Sequence, residues 1–412
     1  MIRTRIAPLL VLVAACGDND GPTPPATGSC AGDAPSLSTS FAGATLPATG
    51  GGALTCRFTA EVALHGDWAY TSTWGTRGRN WGEMIYVWDV RGEVPLLTDS
   101  VRVDGAYTTG DVQVSDDGRL LVVATEFEPG SIVVYDVADD PRRPRLLSRF
   151  SSPTTAPGVH TAEVARVNGT LYAFLSVDPG GSAPARLVIV SLADPAAPVE
   201  VWSQAMGRPY VHDVFVRDGV LYTALWDDGL GIWDLGGLGR GGSPTAPVSA
   251  GTVATAGGNV HNVWWFHDPV SGGKRYAIVG EEQAGAIGTF SAGDIHVVDL
   301  EAAGGPREVA QLRIPGAGTH NFWVDEPRGV LYAAYYNGGV VALDLRGDLG
   351  ACDAGARLGD GRCELASVPG RVLGRALTGG APVYVWGVWG AGGYVYVSDM
   401  LNGLWKLSAI AR

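Results

Sequence analysis

The sequence predicts an all-β protein, a seven-bladed β-propeller of four-stranded antiparallel blades. A unit of about fifty residues recurs seven times, which is typical of repeat architectures. Each unit has the same order of four short apolar runs separated by turn residues, and the chain combines 46% hydrophobic residues with 60 glycines. Radial repetition of four-stranded sheets defines a β-propeller. A pair of β-sandwiches is the alternative, but it requires neither a constant unit nor a shared order.

One unit is clearest at residues 211–255. It has a short alternating strand, an RDG turn, a strand with Leu-Tyr, a glycine turn and a strand ending in Trp-Asp. A fourth strand follows an insertion and a proline. Turn residues between such runs predict antiparallel hairpins. Across the seven units the third strands end in IYVWDV, IVVYDV, LVIVSL, GIWDL, IHVVDL, VVALDL and GLWKLS.

The seventh unit stops after its third strand, at GLWKLSAIAR, so one blade lacks an outer strand. An unpaired sheet edge favours aggregation, and ring closure removes it. We therefore expect a segment within residues 36–56 to pair beside LWKLSAI. Residues 30–56 are assigned to ring closure and residues 57–412 to the propeller. Residues 346–370 are predicted to form a loop insertion in the sixth unit.

The first residues predict export. MIRTR supplies two arginines, IAPLLVLVAA is a short apolar run, and CGDND follows, as in a secretory signal. The end LVAAC resembles the lipobox of bacterial lipoproteins, in which the cysteine, here Cys16, becomes the first residue and carries the lipid. An ordinary signal peptide with a chance cysteine is the alternative.

These features predict a signal peptide over residues 1–15 and a lipidated flexible tether, rich in Pro and Gly, over residues 16–29. The lipid would anchor the protein to a membrane of the cell envelope, with the propeller outside the cytoplasm. The residue after Cys16 is Gly17, whereas an acidic residue at this position holds some lipoproteins at the inner membrane. The sequence therefore favours the outer membrane.

Four further cysteines are present, and an even number in an exported chain predicts disulfides. Proximity in sequence favours the pairs Cys30–Cys56 and Cys352–Cys363, although four cysteines allow three pairings. A cysteine metal site is the weaker alternative because no Cys-x2-Cys spacing occurs.

Charge and motifs narrow the function classes. The formal charge is −13 and no dense Lys/Arg run occurs, so nucleic acid is not an expected partner. The sequence contains no Gly-x-Ser-x-Gly, His-Glu-x-x-His or Gly-x-x-x-x-Gly-Lys motif. No residue is therefore assigned a catalytic role, and enzymatic activity stays open.

Four of the seven histidines occupy one position in four consecutive units. They begin the first strands in GVHTAEV, YVHDVFV, NVHNVWW and GTHNFWV, and they are His160, His212, His261 and His320. First strands line the axis of a propeller, so we expect all four near one mouth of the central channel. In the other units this position holds Phe58 or Thr59, Gly110 and Trp386.

Neutral imidazoles are good ligands for Zn, Cu, Fe and Ni, so the four histidines are candidate ligands of a transition metal. Asp213 and Glu163 would orient the rings as neighbouring acids. Two alternatives stay open, namely histidines that cap their own blades and a clamp for a polar ligand.

The stretch LVIVSLADPAAPVEV resembles the LVIVD-repeat family, whose members are exported, blade-building repeat proteins. The resemblance covers roughly residues 57–412 and implies the fold but no reaction; Ser191 and Lys406 replace the usual Asp of the repeat. We therefore expect a non-catalytic binding or scaffolding module that recognises an envelope protein or a small ligand with its loop face. A metal-dependent enzyme with the histidine cluster at the mouth of the channel is the alternative.

Overall fold

The computed structural model describes residues 48–50, 57–75, 82–207, 210–378 and 382–411. Within them the chain forms seven four-stranded antiparallel blades around an axis. In six blades the strands follow one another in sequence order, whereas the seventh takes its outermost strand from the N-terminal side. The predicted all-β, seven-bladed propeller is confirmed.

The strands of the first three blades are regular and short. Blade 1 contains β2 (Phe58–His65), β3 (Trp68–Trp74), β4 (Met84–Asp89) and β5 (Leu96–Arg102). Blade 2 contains β6 (Thr108–Val114), β7 (Leu120–Glu126), β8 (Ser131–Asp136) and β9 (Arg145–Phe150). Blade 3 contains β10 (Val159–Val167), β11 (Thr170–Val177), β12 (Ala185–Ser191) and β13 (Val199–Gly207).

The next blades carry the insertions. Blade 4 contains β14 (Asp213–Arg217), β15 (Val220–Ala224), β16 (Leu230–Asp234) and β17 (Val248–Val253). Blade 5 contains β18 (Val260–Phe266), β19 (Tyr276–Glu281), β22 (Ile295–Asp299) and β23 (Arg307–Leu312), with the hairpin β20 (Gln283–Ala284) and β21 (Ser291–Ala292) inserted.

Blade 6 contains β24 (Phe322–Asp325), β25 (Val330–Ala334), β26 (Val340–Asp344) and β28 (Val372–Ala376). A further short strand, β27 (Cys363–Glu364), precedes β28. Blade 7 contains β29 (Val385–Ala391), β30 (Tyr394–Asp399), β31 (Gly403–Ser408) and β1 (Ala48–Gly50). Three short 3-10 helices cover Glu326–Arg328, Ala354–Ala356 and Leu365–Ser367.

Neighbouring blades cover both faces of the inner strands, which explains why these strands are almost continuously apolar. β7 is buried at all seven positions, whereas the outer strand β5 is exposed at six of seven. Tyr70 and Val87 of blade 1 pack with Val112 and Val123 of blade 2 in one core cluster. The core therefore lies between the blades and leaves the axis to polar side chains.

The recurring Asp at the end of the third strand forms the turn that follows. Asp89 Oδ1 accepts a hydrogen bond from the N–H of Arg91 at 3.0 Å, and Asp136 Oδ1 accepts one from the N–H of Ala138 at 2.9 Å. Such Asx turns are a general use of Asp after a strand. Ser191 makes the same contact with its hydroxyl. The repeat signature thus encodes a turn.

Ring closure follows the predicted pattern. β1 pairs antiparallel with β31 and supplies the missing outer strand of blade 7. The unusual Lys406 also joins this blade to blade 1, because its Nζ donates to the carbonyl oxygens of Val90 and Gly92 at 2.8 and 2.7 Å. Cys30 and Cys56, predicted to bridge the closing segment, lie outside the described residues.

The insertion at residues 346–370 adds to the neighbouring blade. Cys352 and Cys363 form the predicted disulfide, and β27 pairs parallel with β23 of blade 5. Leu349 and Leu365 are fully buried in the core cluster between blades 5 and 6. The insertion therefore extends a sheet, which the sequence did not predict.

We expect deletion of residues 30–56 to lower the melting temperature by on the order of 10 °C or more, because β31 loses its partner and blade 7 gains an open edge. Thermal unfolding followed by circular dichroism measures the change. Deletion of residues 17–29, which belong to the predicted tether, serves as the control. An unchanged melting temperature after deletion of residues 30–56 would refute ring closure by this segment.

Candidate metal centre in the central channel

Local backbone irregularities accompany two of the four histidines that line the central cavity. The register between β10 and β11 shifts at His160, and the register between β18 and β19 shifts at His261. A β-bulge of this kind breaks the strict alternation of a strand, so that two successive side chains face the same way. His212 and His320 lie just before β14 and β24, and all four histidines line the central cavity.

The four imidazoles form a continuous row. Ring centroids are 4.2 Å apart for each successive pair, from His160 through His212 and His261 to His320. All four are between 1% and 5% exposed. The structure therefore gathers the residues that the sequence placed at equivalent positions.

Aromatic residues continue the row around the axis. The ring of Trp386 lies 4.1 Å from that of His320, and the ring of Trp74 lies 5.0 Å from Trp386. Gly110 follows on the side of blade 2, where an added Cβ would lie 3.3 Å from Glu126 Oε2. Trp74 comes from a second strand, so first-strand equivalence did not reveal it.

Hydrogen bonding leaves part of the row without partners. His320 Nδ1 donates to the carbonyl oxygen of Trp386 at 2.7 Å, so its Nε2 carries the lone pair and has no partner. Neither ring nitrogen of His261 has a hydrogen-bond partner. Leaving a buried polar atom unpaired costs about 1–3 kcal/mol, and such atoms call for an explanation, for example an ion.

His160 differs from the other three in charge. Its Nδ1 lies 3.3 Å from Glu126 Oε1 and 3.6 Å from Asp178 Oδ1. Burial acts to lower the pKa of His160, but these carboxylates outweigh burial and raise the pKa to about 10. Its Nε2 is 3.0 Å from Nε2 of His212. His160 is therefore an imidazolium whose Nε2–H donates to His212 Nε2, and a metal ion at His212 Nε2 would have to displace that proton.

The remaining histidines are neutral and face a carboxylate. Burial is the largest cause that holds the pKa of His212, His261 and His320 well below the usual range. Glu282 Oε2 lies 3.6 Å from His212 Nε2 and 3.7 Å from His261 Nε2. Neutral imidazoles with available lone pairs are the form that binds metals.

Two groups of buried side chains have the geometry of metal ligands. His212, His261 and Glu282 offer ligand atoms within 4.8 Å of one another, and so do Glu126, His160 and Asp178. In a site with bonds of about 2.0–2.2 Å, ligand atoms lie about 2.9–4.4 Å apart. The two distances from Glu282 to His212 and His261 fall in that range.

A hydroxyl orients the carboxylate of the first group. Tyr336 donates its hydroxyl proton to Glu282 Oε1, which leaves Oε2 facing His212 and His261. Tyr210 donates in the same way to Asp178 in the second group. Hydrogen bonds of this kind fix ligand orientation in metal sites.

Backbone strain accompanies the row. Phe127, Trp226 and Tyr336 have φ values of 66°, 49° and 39°, in the left-handed region that bulky residues rarely adopt. Trp226 stacks on His212 at 5.2 Å, and Tyr336 packs on His320 at 5.0 Å. Such strain costs about 1–3 kcal/mol per residue and concentrates at functional sites.

The histidine row lies at a covered end of a cavity of about 430 Å³. The hairpin β20–β21 covers this end, because Ile287 is buried among Trp74, Tyr336, Tyr384 and Trp386. From the row the cavity runs along the axis to the opposite end, where the first strands finish. Among the described residues this hairpin covers part of the histidine end, and a channel mouth beside the histidines stays a prediction.

The other predicted acids line the cavity below the row. Asp213 follows His212 directly, and Glu163 is three residues after His160. Among the described residues neither acid forms a hydrogen bond or an ion pair with any of the four imidazoles. The acids that do contact the row come from the ends of second strands, a signal visible in LLVVATE, FLSVD and AIVGEE.

The remaining candidates lie apart from this site or outside the description. His296 pairs with Glu281 and Glu308 between the strands of blade 5, and His65 is exposed at the end of the cavity where β2 finishes, away from the row. The disulfide Cys352–Cys363 belongs to the insertion between blades 5 and 6. Cys16 lies outside the described residues, so its lipidation stays a prediction.

Fold and site together define a class, a β-propeller whose channel contains a buried row of histidines backed by carboxylates. Residues 383–405 match the family model of the LVIVD repeat, over β29, β30 and the start of β31. The chain thus carries an LVIVD repeat, as the sequence predicted. No curated protein matches the chain.

Replacing Tyr336 by Phe should weaken binding of added Zn²⁺ by about 10–100-fold, because Glu282 loses the hydrogen bond that orients it. Competition with a chromophoric chelator measures the affinity. Tyr70→Phe is the matched control, since the Tyr70 hydroxyl donates to Pro141 O far from the row. Equal affinities in both variants would contradict an orienting role of Tyr336.

Proposed function

We propose that this propeller binds a divalent transition-metal ion in its channel and acts as a metal-dependent enzyme on a small molecule that enters from the open end. His212, His261 and Glu282 would hold the ion. The observation that carries the proposal is this buried triad, with both ring nitrogens of His261 unpartnered, at the inner end of a cavity of about 430 Å³.

The charge balance of the site supports a cation. Glu126, Asp178 and Glu282 surround the row, and the one imidazolium, His160, does not neutralise three carboxylates. Little water reaches this place, so the excess negative charge favours a bound divalent ion more than it would at the surface. Glu126 and Asp178 pair with His160, and their negative charge reduces the repulsion between the imidazolium of His160 and a nearby metal ion.

The donor set favours catalysis over storage. Two imidazoles and one carboxylate leave coordination positions open, as in the sites of Fe(II) oxygenases and of zinc hydrolases. An ion held in this way would polarise a bound substrate or activate water. The chain itself would orient Glu282 through Tyr336 and exclude solvent with the hairpin β20–β21.

A non-catalytic binding or scaffolding role, the first expectation from the sequence, is the competing proposal. It uses the loop faces of the propeller and gives no role to the buried row. Metal content separates the two proposals.

We expect the untagged protein to hold close to one equivalent of a transition metal, and His212→Ala/His261→Ala to lose it. Elemental analysis by mass spectrometry after gel filtration provides the measurement. His267→Ala is the control, because His267 follows the end of β18, contacts Asp218 and is not among the residues that line the cavity. Fewer than about a tenth of an equivalent in the parent protein, even after incubation with Fe²⁺ and Zn²⁺, would remove the enzyme proposal.

We also propose that the protein is exported and anchored to the envelope, preferably the outer membrane, by lipid on Cys16. The signal at residues 1–15 supports this, and so does the disulfide Cys352–Cys363, since disulfides persist in oxidising compartments. Within the described residues no helix is long and apolar enough to cross a membrane.

Cys16→Ser should release the protein from the membrane fraction of a bacterial host into the soluble fraction. Cell fractionation and immunoblotting follow the distribution, with Cys352→Ser/Cys363→Ser as a control that leaves the lipid site intact. Retention of Cys16→Ser in the membrane fraction would show that Cys16 is not the anchor.

A further inference from the structure

We propose that the open half of the channel binds a small organic cation, an ammonium group carried on an apolar body. Two sets of channel-lining side chains carry this inference, an aromatic wall and a group of carboxyls that no Lys or Arg neutralises. Binding of the cation would not need the metal; its place as the substrate rests on the proposed function.

The aromatic wall occupies one equivalent position in four blades. Phe215, Trp264, Trp323 and Trp389 each lie three residues after the channel position of their blade, and all four line the cavity. They are half-buried, and the rings of Phe215 and Trp264 are 5.3 Å apart. Aromatic faces attract ammonium groups through the quadrupole of the ring.

Four carboxyls accompany the aromatic wall in the channel. Glu61, Asp111, Glu163 and Asp213 line the same cavity, and none of them forms a salt bridge with Lys or Arg among the described residues. Their hydrogen bonds come from neutral donors. Asp111 accepts from the N–H of Ala162 at 2.7 Å, and Asp213 accepts from the N–H of Val214 at 2.8 Å.

The pKa of a buried channel carboxyl reflects the lack of a Lys or Arg partner. Burial, reinforced by Asp111, raises the pKa of Glu61 to about 8. Carboxyls in such surroundings gain stability from a cation that replaces lost solvent. A ligand with an ammonium group supplies that charge.

Two features favour an organic ligand over a second metal ion. The cavity of about 430 Å³ is in the size range of small-molecule sites, and its wall is aromatic. At its inner end, His261 is 2% exposed and has both ring nitrogens without partners, which offers a polar terminus to a bound molecule. The ammonium group would lie between the carboxyls and the aromatic faces, within reach of both.

The test compares choline with its neutral isostere 3,3-dimethylbutan-1-ol on the full protein stripped of metal with EDTA. Isothermal titration calorimetry at pH 8 should show choline binding at least about tenfold more tightly, because only choline carries the charge. Equal affinity for the two compounds, or no choline binding at millimolar concentration, overturns the proposal.

Variants locate the site. Asp213→Asn and Trp323→Leu should each weaken choline binding by about five- to tenfold, since they remove a carboxylate and an aromatic face. Asp99→Asn and Trp202→Leu are the matched controls on the outer strands β5 and β13. Trp323→Phe keeps a ring and should retain most of the affinity if Trp323→Leu fails to fold. Unchanged affinity in Asp213→Asn and in both Trp323 variants overturns the assignment.

The two proposals fail separately. Choline binding by metal-stripped protein, combined with no metal uptake by the parent protein, would remove the metal site and keep the cation site. Metal uptake without any preference for choline over the alcohol would remove the cation site and keep the metal site.

Discussion

Backbone pairing between β1 and β31 joins the two ends of the ring, and the site depends on it. With seven blades held around one axis, equivalent positions of successive first strands converge on the channel. This convergence brings four imidazoles to ring distances of 4.2 Å, although about fifty residues of chain separate each from the next. Because Lys406 ties blade 7 to blade 1, the side of the ring opposite the row is held as well.

A buried polar row is costly, and the packing between blades makes it tolerable. Apolar clusters between neighbouring blades surround the channel, and the histidines are not members of these clusters. The unpartnered nitrogens of His261 and the strained backbones of Trp226 and Tyr336 are local costs of about 1–3 kcal/mol each. Such costs at one place in an otherwise well-packed fold are what a binding function demands.

The repeat made the fold and the histidine positions predictable, because a periodic sequence assigns equivalent places to equivalent residues. Ring closure followed from the missing strand of the seventh unit. Glu282, Glu126 and Tyr336 were not predicted as site residues, since they come from second-strand ends and turns that the first-strand comparison ignores. Nor does periodicity reveal the hairpin β20–β21, which among the described residues occurs in blade 5 alone and packs Ile287 over the histidine end.

That hairpin has a kinetic consequence. Among the described residues Ile287 packs over the histidine end, so a molecule that entered from the opposite end would pass the aromatic residues before it reached the row. In the proposed enzyme, a product that left by the same route would compete with incoming substrate for the channel.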